Sequence, residues 1–228
     1  MKAFISWSGG KESSLSCYKT MKELEIAYLL NMISDDGKRS RSHGIDSMLL
    51  KIQSEAIGIP IIQRKTTWQS YEQEFKKAVS ELNKKNIEAG VFGDIDLEEH
   101  REWVERVCGE LSIEAILPLW GKTRAEVVGE FIDSGFEAVV VATKAEHLGP
   151  EWLGRRINRK FVEDVRSLKK VDICGEAGEY HTFVTNGPIF KRRIKILQKR
   201  KVQKDEHWFL DISKYALEDR KYEVKRRY

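Results

Sequence analysis

Short apolar runs alternate with amphipathic stretches along the first two thirds of the chain. Runs at residues 2–7, 27–34, 60–64, 89–94, 115–118 and 138–143 have the length and side-chain types of strands. Between them, residues 13–24, 46–57, 71–85, 97–111 and 124–134 carry helical patterns. In 71–85, Phe75, Ala78, Val79 and Leu82 recur at i, i+3, i+4 and i+7 and share one face. This alternation predicts an α/β fold, a doubly wound parallel sheet with helices on both faces. After residue 143 the rhythm changes. Pro150 and several glycines precede a helical stretch at 158–168, then a short run at 171–174 and a Gly- and Glu-rich loop at 175–178. Strand-like runs follow at 180–185, 189–202 and 207–212, the last two suited to antiparallel pairing. The expected division is a larger domain over 1–143 and a smaller α+β domain over 144–228. No Pro- or Ser-rich linker separates them, so they are expected to pack around a shared cleft.

The first strand breaks into Ser8-Gly9-Gly10-Lys11-Glu12-Ser13-Ser14 and then enters a helix. Glycines let a backbone turn tightly and approach a ligand, and the orphan amides of a helix start point at an anion. The hydroxyls of Ser8, Ser13 and Ser14 add donors and Lys11 adds a positive charge. The spacing fits neither Walker A nor the dinucleotide fingerprint Gly-x-Gly-x-x-Gly. A phosphate cradle is the reading favoured over an ordinary strand-to-helix turn. Ligands of such sheets lie beyond the strands' carboxyl ends, where this loop begins.

Composition is that of a globular chain: 228 residues, 41% hydrophobic and one third charged. No apolar run approaches the ~20 residues of a membrane span, and the first residues lead straight into a strand rather than a signal peptide. Cys17, Cys108 and Cys174 are scattered without a C-x-x-C pair, which argues against a disulfide framework or zinc ribbon and for a cytoplasmic protein. Charge is uneven: residues 181–228 hold 14 Lys and Arg against 6 Asp and Glu. A solvated lysine-rich surface and a face for an acidic macromolecule or nucleic acid both fit that segment.

Further polar clusters fall where strands should end. Asp35-Asp36-Gly37 reads as a turn at Asp36, with Asp35 open. In Gly93-Asp94-Ile95-Asp96, Asp94 is the candidate magnesium ligand, facing the phosphate loop, and Asp96 the candidate helix N-cap. Thr123 and Glu126 read as a capping box, and Trp120 as packing. In Cys174-Gly175-Glu176-Ala177-Gly178-Glu179-Tyr180-His181, two carboxylates three residues apart flank a glycine turn. Such a loop can bind magnesium, hold ammonium or position an acceptor; a solvated β-turn is the plainer alternative.

Ser8-Gly9-Gly10-x-x-Ser13 resembles the PP-loop of the ATP pyrophosphatases, with Glu12 where that pattern usually has Asp. Together with Gly93-Asp94-Ile95, His100, Trp103, Pro118-Leu119-Trp120, Leu153-Gly154-Arg155 and the loop from Gly175 to Tyr180, the chain resembles the diphthine–ammonia ligase family of that superfamily. Ala177 stands where that family reads Gly, and His181 where it reads Glu. The resemblance implies a PP-loop nucleotide-binding domain with a substrate-facing one, and ATP and Mg²⁺ as cofactors. It implies AMP- and pyrophosphate-forming amidation, by ammonium, of diphthine on elongation factor 2. Cofactor-binding residues would be Ser8, Gly9, Gly10, Lys11, Ser13 and Ser14; catalytic residues Lys11, Asp94, Glu176 and Glu179; the metal ligand Asp94. The resemblance leaves room for a homo-oligomer. Other readings are a related ATP pyrophosphatase acting in cobamide salvage or tRNA modification, and a non-catalytic ATP-binding protein.

Overall fold

The computed structural model describes residues 1–41 and 43–219. Strands β1 (Lys2–Ser6), β2 (Glu25–Ser34), β3 (Ile61–Thr66), β4 (Ala89–Val91) and β5 (Glu114–Ile116) form one sheet in the order β3-β2-β1-β4-β5. Every pairing in it is parallel. Helices α1 (Lys11–Thr20), α2 (Ser47–Ile57), α3 (Tyr71–Asn83) and α4 (Glu98–Glu110) connect the strands, and α5 (Arg124–Asp133) follows β5.

Alternation along β1 explains why helices cover both faces. Ala3, Ile5 and, just past the strand, Trp7 enter one apolar cluster with Leu15 of α1 and Leu49 and Leu50 of α2. Phe4 points the other way, into a cluster with Phe75 and Val79 of α3 and Val104 and Val107 of α4. There it packs edge-on against Phe75 and Phe92, each centroid 6.0 Å away.

The second sheet is antiparallel and holds β6 (Glu137–Lys144), β7 (Tyr180–Asn186), β8 (Arg192–Lys204) and β9 (His207–Asp219) in the order β7-β6-β9-β8. Helix α6 (Arg159–Ser167), capped by the Asn158 side chain on the Phe161 amide, lies between β6 and β7 in sequence. Here the sequence expectation is corrected. The run at 138–143 reads as a sixth parallel strand, but β6 pairs antiparallel with both β7 and β9. The change of architecture therefore comes before β6, not after residue 143. A strand buried on both faces shows the same unbroken apolar run in either kind of sheet, so periodicity cannot assign its partners.

Val140 of β6, Phe183 and Val184 of β7 and Ile194 of β8 belong to the same cluster as Ile5 and Leu15. The two sheets thus share one core. Strand order places the topological switch between β1 and β4, the position beyond which sheets of this kind bind ligands. Among the described residues no helix is long and apolar enough to cross a membrane, and Cys17, Cys108 and Cys174 are free and buried. Residues 220–228, the end of the basic segment, lie outside the described residues.

Candidate active site

The chain leaves β1 through Ser8, Gly9 and Gly10 and enters α1 at Lys11. Gly9 holds φ +79°, and a Cβ there would fall 2.4 Å from Leu50 Cδ2 and 2.7 Å from Gln53 Oε1. Only glycine fits. Gly10 occupies the N-cap position without a side chain to cap with. Its amide donates instead to Ser8 Oγ at 3.2 Å, and Ser13 Oγ donates to the Gly10 carbonyl at 3.2 Å. The Ser8 and Ser13 hydroxyls lie 3.1 Å apart. Two hydroxyls therefore stand at a helix N-terminus, a position suited to an anion.

Two elements fix this loop from behind. The fully buried Gln53 of α2 donates from Nε2 to the Gly9 carbonyl at 3.0 Å and to the Val184 carbonyl at 2.7 Å, and accepts from Trp7 Nε1 at 3.0 Å. The Val184 amide of β7 also donates to the Gly9 carbonyl at 3.0 Å. On the other lobe's side, Thr182 Oγ1 accepts from the Lys11 amide at 3.1 Å. The glycine loop is thus held against the second sheet.

Lys11 is buried, 3% exposed, and turns away from solvent. Its Nζ donates to the Cys174 carbonyl, pairs with Glu12 Oε1 at 2.5 Å and lies 5.1 Å over the Tyr180 ring. Burial disfavours the ammonium, but Glu12, with Tyr180 and Cys174, overrides this and pushes the pKa above the usual lysine range. The loop that receives Lys11 is braced internally. Asp172 Oδ1 accepts from the Cys174 amide at 2.6 Å and the Glu176 amide at 3.4 Å. The Glu179 carboxylate, 4% exposed, accepts from the Asp172 amide at 2.8 Å. Arg124 ties the loop to the first lobe, bonding Asp172 at 2.6 Å and Asp96 at 2.9 Å.

Lys11, Glu12, Glu176, Tyr180, His181 and His43 line a cavity of about 120 Å³ where the two loops meet. Burial, reinforced by Glu12 and Asp94, pushes the Glu176 carboxyl up to about 7, against the pull of Lys11 and Arg124. Asp94 approaches from β4. Gly93 packs so tightly on α1 that a Cβ would fall 3.1 Å from Glu12 Cβ and 3.2 Å from the Ser13 amide. Asp94 Oδ1 meets His100 Nδ1 at 3.0 Å, and that bond raises the histidine pKa.

These two loops belong to domains that known proteins share. A family model described as diphthamide synthase N-terminal domain matches residues 1–115, and one described as diphthamide synthase C-terminal domain matches residues 123–218. The chain belongs to the diphthamide synthase family. It is 28% identical over 220 residues to a diphthine–ammonia ligase of Rattus norvegicus, covering 83% of this chain and 80% of that protein. It is 27% identical over 232 residues to the diphthine–ammonia ligase of Schizosaccharomyces pombe, covering 89% of this chain and 37% of that one. A solved structure, "predicted subunit of tRNA methyltransferase" from Methanocaldococcus jannaschii, is 17% identical with a TM-score of 0.45, covering 82% and 98%.

In this diphthamide synthase family member the structure gathers Ser8, Gly9, Gly10, Lys11 and Ser13 at the start of α1 and brings Glu176 to the cavity that Lys11 lines. Ser14 is fully buried in α1, and Glu179 is taken up in bracing its loop. Asp96 does not cap α4, whose N-cap is Leu97; its carboxylate is taken by Arg124. The capping box of Thr123 and Glu126 is present, and Asp36 closes its turn on the Ser34 hydroxyl and the Lys38 amide. Gln53 and His43 were not legible as site residues. The signal for Gln53 was a lone amide on the apolar face that Leu49, Leu50 and Ile57 give α2.

Proposed function

We propose that this chain is an ATP-dependent, AMP- and pyrophosphate-forming ligase that amidates diphthine with ammonium to give diphthamide. The observation that carries the reading is the meeting of two glycine loops from separate lobes, with buried Lys11 of one bonded to the Cys174 carbonyl of the other. The names of the relatives supply the acceptor.

The placements support a role for each residue. Ser8, Gly9, Gly10, Lys11 and Ser13 hold the ATP phosphates, with Ser14 supporting them from inside the helix. A diphthine carboxylate oxygen attacks the α-phosphorus, the P–O bond to the β-phosphate breaks, and pyrophosphate leaves. Ammonium first loses a proton to water; the ammonia formed attacks the acyl carbon, the C–O bond to AMP breaks, and the nitrogen gives up a second proton. Both steps need alignment and charge stabilisation rather than a protein nucleophile. The permanently charged Lys11 supplies the latter beside the phosphates. Glu176 faces the acceptor side, where a carboxyl able to hold or release a proton near neutrality can take the one that ammonia sheds. Glu179 keeps that loop in register.

Among the described residues no group of three or more His, Cys, Asp and Glu side chains is placed to hold a metal. A single carboxylate still suits magnesium that arrives on phosphates and keeps its waters. Asp94 fits this, because only its Oδ1 is taken by His100. When bound, the ion would neutralise phosphate charge.

The test is AMP and pyrophosphate release from ATP, Mg²⁺ and ammonium, with and without diphthine-bearing elongation factor 2. Release that depends on the factor is the expected result. ADP and phosphate as products would overturn the ATP pyrophosphatase reading, and release indifferent to the factor would move the acceptor elsewhere.

A further inference from the structure

A pair of histidines closes the cavity, one from each lobe, and the proposed chemistry gives them no role. His43 lies in the loop that follows β2, and its ring stacks on His181 of β7, centroids 4.4 Å apart and planes at 20°. The His43 ring also lies against the phosphate loop. A Cβ on Gly10 would fall 2.8 Å from His43 Cε1 and 3.1 Å from Nδ1. Gly10 is therefore glycine partly because this imidazole takes the place of its side chain. Lys11, Glu12 and Glu176 line the same cavity.

One atom in this pair is unexplained by the protein itself. His43 Nδ1 is buried and has no hydrogen-bond partner. A buried polar atom without a partner costs about 1–3 kcal/mol, and at the edge of a cavity a bound ligand can supply the missing bond. The stack holds the plane of the ring, with Cε1 and Nδ1 set on the Gly10 side. Both rings are held neutral, His43 well below its usual range by burial and by His181 and Lys11, and His181 down to about 4 by burial, Lys11 and His207. A neutral imidazole can donate from Nδ1 without adding a second cation beside Lys11.

We propose that His43 is a ligand-contacting residue, its Nδ1–H donating to a phosphate oxygen of the nucleotide held by Ser8–Ser13, and that His181 is the positioning residue that fixes its ring. This rests on the phosphate-loop reading above and adds to it a residue outside the glycine motif, supplied by the loop after β2. The contact is made to ATP and to the pyrophosphate group it carries. Adenosine, lacking phosphate, makes no use of it.

The experiment is titration calorimetry of the whole protein with ATP, sodium pyrophosphate and adenosine, each variant accompanied by a thermal melt. His43→Asn keeps a donor near the Nδ1 position, and His43→Leu is its apolar isostere. H43L is expected to weaken ATP and pyrophosphate by about ten- to a hundredfold, the worth of a hydrogen bond to a charged group, with adenosine unchanged. H43N should recover most of that loss. For the positioning role, His181→Phe keeps a flat ring and should bind ATP within about threefold of wild type, whereas His181→Ala should not. Equal ATP affinity in folded H43L and wild type would overturn the inference alone. So would an H43N loss as large as that of H43L, since it would assign His43 to packing. Wild-type protein that binds neither ATP nor pyrophosphate would overturn the phosphate loop as well.

Discussion

The side-chain amide of Gln53 donates to the backbone carbonyl of Gly9 at 3.0 Å. That bond, with the one Val184 makes to the same oxygen, turns the Gly9 carbonyl towards the core. A carbonyl facing an anion would repel it, so fixing its direction is part of building the cradle. The clamp also ties the two sheets together: Gln53 reaches Val184 in the second sheet from a helix of the first.

Gln53→Leu should therefore damage stability and binding together. Three buried partners lose a hydrogen bond, and a loss of ~2 kcal/mol lowers Tm by about 4–8 °C for a chain of this size. Calorimetric melts and ATP titration of the same sample check it. Unchanged Tm would show that the clamp is dispensable.

Gly9→Ala tests the loop conformation itself. The left-handed φ of +79° adds strain of about 1–2 kcal/mol, and the new methyl would collide with Leu50 and Gln53. We expect an ATP-dependent turnover loss larger than that of Gln53→Leu, read as pyrophosphate release.

Lys11→Met separates structure from chemistry. Removing one partner of a buried ion pair costs about 3–5 kcal/mol because Glu12 is left uncompensated. Adding Glu12→Gln should restore most of the Tm but none of the turnover. Recovery of turnover in the double variant would sink the catalytic role of Lys11. Since the Lys11 pKa is raised, its stabilising charge is fully present below the ordinary lysine pKa, and it contributes no titration near neutrality.

Glu176→Gln carries a signed pH prediction. A carboxyl raised to about 7 holds its proton longer in the folded chain than unfolded, so it costs stability as pH rises from about 4.5 to about 7. The variant should melt higher than wild type at about pH 8 and no higher at about pH 4. Acceptor-dependent turnover should fall and lose its ionisation near pH 7, while ATP binding persists. Melts at the two pH values and a pH–rate profile decide it.

What was legible in the sequence is what local chemistry dictates. Gly9 and Gly10 announce a tight turn, Thr123 and Glu126 a helix start, and the spacing of Phe75, Ala78, Val79 and Leu82 a helix face. Each depends on residues close together in the chain. The five parallel strands and their helices follow from the same kind of signal.

Partner choice across the chain is not local and emerges only when distant segments pack together. The apolar run of β6 is compatible with either sheet; in the fold it pairs antiparallel with β7 and β9. Asp96 lies at a plausible cap position, yet Arg124, 28 residues on, offers a stronger charge-assisted bond. His43 and His181 are far apart in sequence and meet only because the loop after β2 and the strand β7 converge on Gly10. Local patterning specifies the strands, the helices and the glycine turn that follows β1. Packing two sheets on one core determined which side chains face that loop, because burial and electrostatics act through space, where residues far apart in the chain become neighbours.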